Sequence, residues 1–220
     1  MAWSGGKDSA LALAAVLRDG RYDVAALLTT VTERYDRVSM HGVRRTLLRQ
    51  QAEALGLRLE EVVIPPQCSN DEYEKRMAAA LATVRSQFPG LHAAVFGDLF
   101  LTDIRAYRER MLARVGMHAL FPLWLRDTRE LAREFVRLGY RAVLVCVDSH
   151  ALPAAFAGRE FGDALLDELP AGVDPCGENG EFHTFVYAGP LLAHRIAHRR
   201  GKRVVREGRF VYRDLKEVAR

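Results

Sequence analysis

The sequence contains few cysteines, no long apolar run and little net charge. Its cysteines, Cys68, Cys146 and Cys176, are far apart and form no C-x-x-C pair, which argues against a disulfide framework and a structural zinc site. Apolar runs such as 142–147 are far shorter than the roughly 20 residues that a membrane-spanning helix needs. The N-terminal residues do not have the pattern of a signal peptide. We therefore expect a cytoplasmic protein with no membrane partner.

The composition supplies the material for a sizeable core. Of 220 residues, 49% are hydrophobic and 27% are charged, values typical of a globular protein. Lys plus Arg number 32 against 28 Asp plus Glu, a formal net charge of +4. This mild excess suits an anionic ligand such as a nucleotide, but it is too small to indicate nucleic-acid binding. The basic residues between 195 and 203 are therefore interpreted as solvated positions of an exposed hairpin.

Apolar and amphipathic stretches alternate over the first 150 residues. They predict strands at 23–31, 59–64, 93–96 and 142–147, and helices at 10–17, 42–55, 70–88, 102–115 and 128–138. Asn70 or Asp71 is the expected cap of the helix at 70–88. Strands separated by helices of this length indicate an α/β protein with a doubly wound, Rossmann-like parallel sheet and helices on both faces.

The alternation of strands and helices ends near residue 150. The remaining residues predict loops, a short helix near 161–169 and strands at 184–187, 203–206 and 209–212, with tight turns at 200–202 and 207–208. We therefore predict a first domain over residues 1–150 and a smaller mixed C-terminal lobe with β-strands over 151–220.

The strongest chemical signal is a glycine-rich motif near the N terminus. It consists of Ser4, Gly5, Gly6, Lys7, Asp8 and Ser9. The glycines permit a tight turn and a close approach of the backbone to a ligand. The helix that follows offers unpaired N–H groups and a positive dipole end to an anion. The hydroxyls of both serines can donate to phosphate oxygens, and Lys7 adds a mobile cation. The motif differs from the common G-x-x-x-x-G-K-[ST] loop.

A second motif, D-P-C-G-E-N-G-E-F-H-T-F-V, covers residues 174–186. Its candidate substrate-binding residues are Gly177, Glu178, Asn179, Gly180, Glu181, His183 and Thr184. Strand alternation places Glu181 and His183 on one face and Phe182 and Thr184 on the other. If the aromatic residues are buried, some polar neighbours are buried too and need partners or a ligand. Taken with the first motif, this pattern favours a substrate-binding or catalytic segment. The alternative is a turn and strand whose polar side chains are satisfied within the fold.

The first motif resembles the pyrophosphate loop S-G-G-x-D-S of the N-type ATP pyrophosphatases. In that superfamily a full strand precedes the loop, whereas only residues 1–3 precede it here, so we expect either a very short strand or a trimmed N terminus. Together the two motifs resemble the diphthine–ammonia ligase family, which has a G-E-x-G-E-F-x-T-F signature. The resemblance extends over the whole chain. Shorter matches occur at 39–42, 51–56, 97–98, 121–124, Leu152 and 158–159.

The resemblance has one departure. Archaeal and eukaryotic ligases have a pattern closer to G-E-G-G-E-F-E-T, whereas Asn179 and His183 stand in this sequence. The sequence is similar to the bacterial branch, and bacteria lack diphthamide. The fold and the ATP chemistry therefore carry over more firmly than the acceptor substrate does.

The resemblance implies a HUP-type fold whose first domain binds ATP and Mg²⁺. Residues 4–9 would hold the pyrophosphate, and Asp8 would be a magnesium ligand. Thr29 and Thr30 would receive adenine through their main chain, and His41 would face the nucleotide. Gly97 and Asp98 end a strand at the same sheet edge, so Asp98 would reach ribose or metal, with an ordinary turn aspartate as the alternative.

The implied reaction adenylates a carboxylate-bearing substrate, which can be part of a protein, releases pyrophosphate and forms an amide with ammonia. The expected catalytic residues are Asp8, Glu178, Glu181 and His183. Which of the last three acts as the base toward ammonia stays open. Two other functions remain as alternatives: a tRNA-modifying ATP pyrophosphatase, and a nucleotide sensor without catalysis. A homodimer is the expected assembly, because residues 121–124 and the C-terminal strands offer apolar and edge surface.

Overall fold

The first sheet is mainly parallel and includes the first residues of the chain. In a computed structural model, which describes residues 1–218, β1 (Leu27–Thr32) pairs in parallel with β3 (Leu59–Ile64) and antiparallel with the short β2 (Arg37–Val38). β4 (Ala93–Val95) pairs in parallel with β5 (His118–Leu120). Residues 1–3 join the two halves, because the Ala2 N–H donates to the Val95 carbonyl and the Trp3 N–H to the Leu28 carbonyl, both at 2.8 Å. The predicted α/β class with a parallel sheet is confirmed.

The helices lie close to the positions that the sequence predicts. They are α1 (Lys7–Asp19), α2 (Arg45–Leu55), α3 (Asn70–Gln87), α4 (Thr102–Ala113), α5 (Thr128–Arg137) and α6 (Asp163–Asp167). The predicted cap of α3 is wrong, because the Ser69 hydroxyl accepts from the Glu72 N–H at the helix start. Within residues 1–218, no helix combines the length and the apolar character needed to cross a membrane.

The two faces of this sheet pack into separate cores. Leu13 of α1, Leu47 of α2, Leu27 of β1 and Val95 of β4 belong to the larger cluster of buried side chains. A second cluster contains Met77 and Leu81 of α3, Ala94 of β4, and Met111 and Leu112 of α4. Because neighbouring residues of a strand point to opposite faces, Ala94 and Val95 lie in different cores. Helices therefore cover both faces of the sheet.

The second sheet is antiparallel and is centred on β6 (Arg141–Asp148). This strand pairs with β7 (Glu160–Phe161), β8 (Phe182–Ala188) and β10 (Phe210–Glu217). The prediction that the apolar run at 142–147 belongs to the parallel sheet is wrong. Every residue of β6 after Arg141 is buried, so its continuous apolar run resembles that of a central parallel strand. The domain boundary near residue 150 stays a prediction.

β9 (His198–Arg206) forms the outer edge of the second sheet and pairs only with β10 in the described sheet. The turn predicted at 200–202 is wrong, because these residues continue β9. Gly201 is suited to the strand because a Cβ there would lie 3.1 Å from a carboxylate oxygen of Asp214. The turn predicted at 207–208 is present, and both residues have positive φ (52° and 63°), as tight hairpins favour.

Candidate active site

A cavity of about 500 Å³ lies beyond the carboxyl ends of β1 and β4, where parallel α/β sheets bind ligands. The residues of the sequence prediction that line it are Ser4, Gly6, Lys7, Asp8, Ser9, Thr29, Thr30, His41, Gly97, Asp98, Gly177, Glu178, His183 and Thr184. The fold thus brings the N-terminal loop and the second motif to one cavity. Its volume lies within the roughly 300–1,000 Å³ of small-molecule sites.

The N-terminal loop depends on glycine at two close approaches, at Gly5 and at Gly97. Gly5 has φ of 79°, and a Cβ there would lie 2.7 Å from Leu48 and from Gln51. Gly6 precedes the first residue of α1 with extended backbone angles. A Cβ on Gly97 would lie 2.9 Å from the Asp8 carbonyl, so the end of β4 presses directly against the loop. A side chain at either Gly5 or Gly97 would displace the loop.

Lys7 is buried, and the prediction that it supplies a mobile cation is wrong. Its side chain is 2% exposed, and its Nζ donates to Asp8 at 2.8 Å and to the carbonyl of Cys176. Burial is the largest influence and lowers the pKa of Lys7, but Asp8, Cys176 and Asp174 together outweigh it, so the pKa is raised. Lys7 therefore holds a fixed positive charge between the loop and the second motif.

Gln51 of α2 joins the loop to β8 in a way that sequence reasoning missed. Its Oε1 accepts from the Trp3 indole at 3.0 Å, and its Nε2 donates to the carbonyls of Gly5 at 3.0 Å and Val186 at 2.5 Å. The side chain is fully buried. The sequence contained two signals, because Gln51 begins the short match at 51–56 and lies three and four residues after Leu48 and Leu47, on the apolar face of the helix. Its polar side chain alone suggests a solvent position.

Glu178 is the acidic residue of the second motif that lines the cavity. Its Oε1 accepts from the Leu99 N–H at 2.7 Å, which ties the motif to the loop after β4. Burial raises the pKa of Glu178 from 4.5 to about 7, against the lowering effect of that hydrogen bond. Near neutral pH this carboxyl can therefore both accept and release a proton.

The other acidic residue of the motif stabilises a turn. Glu181 is buried, and its Oε1 accepts from the Asp174 N–H and from the Asn179 amide, each at 3.0 Å. Glu181 and Asn179 do not line the cavity, and the same is true of Gly180 and of Gly5. The geometry thus separates the two glutamates: Glu178 faces the cavity, whereas Glu181 shapes the chain that presents it.

His41 and His183 pack against each other, with tilted rings, on the cavity wall. Their ring centroids are 4.3 Å apart, with an angle of 31° between the rings. Desolvation lowers the pKa of His41 to about 4 and that of His183 well below 6.5. Both rings are therefore neutral at physiological pH and offer a flat, uncharged surface with nitrogen donors and acceptors.

Arg108 of α4 is a cavity residue that sequence reasoning missed. Its Nε lies 2.6 Å from Asp98, and its guanidinium covers the Phe96 ring at 4.5 Å. Asp98 therefore faces the cavity as a paired carboxylate rather than as a free turn residue. No signal distinguished Arg108 from the many other arginines, since only the fold brings it to Asp98.

The fit of a nucleotide rests on an unsatisfied group. Thr29 is 3% exposed, and its Oγ1 has no hydrogen-bond partner in the described chain. A buried hydroxyl of this kind is satisfied by a ligand or water.

No three acidic, histidine or cysteine side chains converge on a metal position among residues 1–218. A magnesium ion would therefore rely on Asp8, whose side chain is 28% exposed, together with phosphate oxygens.

Cys176 lies beside the site but is unsuited to sulfur transfer. Its thiol is buried and donates to the Thr128 carbonyl at 3.2 Å. Burial raises the pKa of this thiol, so the nucleophilic thiolate is disfavoured at neutral pH. This chemistry argues against a thiolase-type tRNA-modifying activity.

A parallel sheet with a glycine-rich loop at a helix N terminus, and a cavity at the strand ends, defines a nucleotide-binding protein of the Rossmann-like class. The chain belongs to the diphthamide synthase family. The family model of the diphthamide synthase N-terminal domain matches residues 1–119, and that of the C-terminal domain matches residues 127–218. The family predicted from the two motifs is confirmed.

Curated relatives agree with this assignment. A diphthine–ammonia ligase of Schizosaccharomyces pombe is 29% identical over 210 residues, which cover 88% of this chain and 34% of the yeast protein. The diphthine–ammonia ligase of Rattus norvegicus is 26% identical over 217 residues, covering 88% of this chain and 79% of the rat protein. That of Danio rerio is 34% identical over 102 residues, covering 44% and 40%. The chain thus spans well under half of the yeast and zebrafish proteins.

Proposed function

We propose that this protein is an ATP-dependent ligase that adenylates a carboxylate, releases pyrophosphate and forms an amide with ammonia. The observation that carries the proposal is the shared cavity, in which the Lys7 N–H of the loop donates to the Thr184 hydroxyl of the second motif at 3.0 Å. The names of the relatives, diphthine–ammonia ligases, support both the ligase chemistry and a carboxylate acceptor.

The nucleotide end of the cavity is the loop at the start of α1. Its backbone N–H groups and the positive end of the helix dipole suit the leaving pyrophosphate. Thr29, with its unsatisfied hydroxyl, lies on the β1 wall of the same cavity, where it suits the adenosine end of the ligand. Mg²⁺, when bound, would neutralise phosphate charge beside Asp8.

The acceptor end is formed by Glu178, His183 and Thr184. A carboxylate oxygen attacks the α-phosphorus, and the bond to the pyrophosphate oxygen breaks. Ammonia then attacks the carbonyl carbon, AMP leaves with the bonding electron pair, and one proton leaves the nitrogen. Glu178, with its pKa raised to about 7, is the group best matched to take that proton near neutral pH. Alignment of the reacting groups within one enclosed cavity supplies much of the rate.

The proposal is tested by product analysis of ATP incubated with Mg²⁺, ammonium chloride and a diphthine-bearing protein as the probe. We expect AMP and pyrophosphate that depend on both ammonium and the probe. In Gly6→Val, whose side chain would crowd the Thr184 carbonyl, both ATP affinity and AMP formation should fall at least tenfold. Formation of ADP would contradict the proposal. ATP binding that never yields AMP would indicate a nucleotide sensor instead.

A further inference from the structure

The strand β9 carries a dense run of positive charge at the outer edge of the second sheet. Five of its nine residues are Arg or Lys, at positions 199, 200, 202, 203 and 206. Within residues 1–218, only Arg200 among them forms an ion pair, to Glu160 at 2.6 Å. The carboxylate of Asp214 on the neighbouring β10 is engaged by Arg37 and Arg44, at 2.9 and 2.8 Å. The chain therefore leaves most of this charge without a counter-charge.

The pairing of β9 with β10 also sets like charges opposite each other. Arg203 lies opposite Arg213, and Arg199 lies opposite Lys216. Like charges in directly opposed positions of two strands are destabilising. Desolvation, and then the charges of Arg203 and Arg200, lower the pKa of Arg213. The fold thus holds a repulsive arrangement that an anionic partner would relieve.

The cations of this strand lie on both faces of the sheet. Because successive residues of a strand point to opposite faces, Arg203 and Val205 lie on one face, and Val204 and Arg206 lie on the other. The two valines add apolar surface between the charges, with exposed fractions of 44% and 60%. Each face therefore presents one cation and one exposed valine along residues 203–206.

The outer edge of β9 is open. In the part of the chain that the structure describes, β9 pairs only with β10, and no backbone group of residues 202–206 bonds to a third strand. An open edge is a template for an added strand. A second copy of β9 is a poor occupant, because arginines would again lie opposite arginines. The edge therefore selects a strand of opposite charge.

We propose that the outer edge of β9 is a docking surface for an extended acidic segment of a partner protein, which adds to the second sheet as a further strand. Residues 203–206 match a segment with the pattern acidic, apolar, apolar, acidic. This pattern is the same in both directions, so it fits a parallel or an antiparallel strand. A nucleic acid is less suited, because it would contact the cations of one face and leave the backbone edge unpaired.

The docking surface leads to the rim of the candidate active site. The Arg206 guanidinium covers the Tyr35 ring at 4.3 Å and the Tyr212 ring at 5.5 Å. The Tyr212 hydroxyl donates to the Met40 carbonyl at 3.3 Å, and Met40, which is 72% exposed, lines the cavity. A partner docked on β9 would therefore place its neighbouring residues beside the cavity. Delivery of an acceptor by this route rests on the proposed function, whereas binding of the segment does not.

Binding is measured by fluorescence anisotropy with labelled peptides and the full chain. The probe is Thr-Glu-Val-Val-Glu-Thr. One control, Thr-Lys-Val-Val-Lys-Thr, reverses the charge, and the other, Thr-Glu-Val-Pro-Glu-Thr, keeps the charge but removes a backbone donor. We expect the probe to bind at least tenfold more tightly than either control. Its affinity should fall as salt is added, because exposed charges are screened.

A charge-reversed protein tests the residues themselves. Arg203→Glu combined with Arg206→Glu should bind the probe at least tenfold more weakly and should bind the lysine peptide more tightly than the parent does. Arg110→Glu combined with Arg129→Glu is the matched control, since it makes the same change of charge at exposed residues of α4 and α5. Glutamate at position 203 lies opposite Arg213, which favours the folded strand pair, and thermal unfolding checks that the variant is folded.

Hydrogen exchange of the β9 amides should slow at least tenfold in excess probe. Equal binding of the probe and the proline control would overturn the proposal, because attraction between charges would then explain the binding. Absence of binding would overturn it too, and would show that the charges only keep this edge from pairing. A labelled oligothymidylate that binds more tightly than the probe, and loses affinity in the charge-reversed protein, would overturn it in favour of a nucleic acid. Since no measurement includes ATP, failure here leaves the proposed ligase function untouched.

Discussion

The backbone N–H of Lys7 donates to the hydroxyl of Thr184 across 177 positions of sequence, at 3.0 Å. This contact joins the first residue of α1 to β8 of the second sheet. The Val186 N–H adds a bond to the Gly5 carbonyl at 2.9 Å. The loop proposed to hold phosphate is thus ordered by the motif proposed to hold the acceptor, and changes in one are expected to reach the other.

Thr184→Val should weaken both stability and ATP binding. Valine keeps the shape of threonine but leaves the buried Lys7 N–H without a partner, which costs about 1–3 kcal/mol. Thermal unfolding and calorimetric titration with ATP measure the two effects. Thr184→Ser is the matched control, because it keeps the hydroxyl and should retain most of the ATP affinity. Equal ATP affinity in all three proteins would show that this contact does not order the loop.

Gln51→Leu should destabilise the protein by about 2–4 kcal/mol. The substitution removes hydrogen bonds from buried groups of Trp3, Gly5 and Val186, and unsatisfied buried groups are costly. Chemical denaturation gives the free energy of unfolding. The neighbouring Gln50, which is less buried, supplies the control Gln50→Leu, with an expected change below about 0.5 kcal/mol. Similar losses in both variants would contradict the role given to Gln51.

Gly97→Ala should impair nucleotide binding more than folding. The added Cβ would lie 2.9 Å from the Asp8 carbonyl and would push the loop out of position. We expect ATP affinity to fall at least tenfold by calorimetry. Gly90→Ala is the matched control, since a Cβ at Gly90 meets no atom within 4 Å. Unchanged affinity in Gly97→Ala would show that the loop tolerates displacement.

At a fixed concentration of free ammonia, the rate of AMP formation should rise with pH through about 7. A general base works when deprotonated, and burial raises the pKa of Glu178 to about 7. Between pH 4.5 and 7 the folded state holds a proton that the unfolded state has lost, so this group's contribution to stability falls as pH rises through that window. Glu178→Gln should lower the rate and abolish both pH dependences. An unchanged rate profile in Glu178→Gln would exclude Glu178 as the base.

Local patterns in the sequence predict much of the parallel half of the fold. The glycine-rich loop before α1, the strand at 59–64 and the helix that ends at Gly56 follow from periodicity and end signals, and all are present. The two motifs were expected in one site because of a family resemblance. Neither hydrophobic periodicity nor composition contains the Lys7–Thr184 contact that joins them.

The features that sequence reasoning missed depend on distant neighbours. The antiparallel pairing of β6 follows from strands that come later in the chain, and a fully apolar run does not reveal its partner's direction. Glutamine is typical of protein surfaces, and only the fold places Trp3, Gly5 and Val186 around Gln51. Gly201 resembles a turn residue, and only the packing of Asp214 against it explains its place in β9.

The most direct test of the central claim follows an oxygen atom. A diphthine-bearing protein with ¹⁸O in its carboxylate is incubated with ATP, Mg²⁺, ammonium chloride and this protein, and the products are analysed by mass spectrometry. Adenylation of the carboxylate predicts one ¹⁸O atom in the phosphate of AMP, none in pyrophosphate, and an amide on the acceptor. AMP without ¹⁸O, or ADP in place of AMP, would contradict the account.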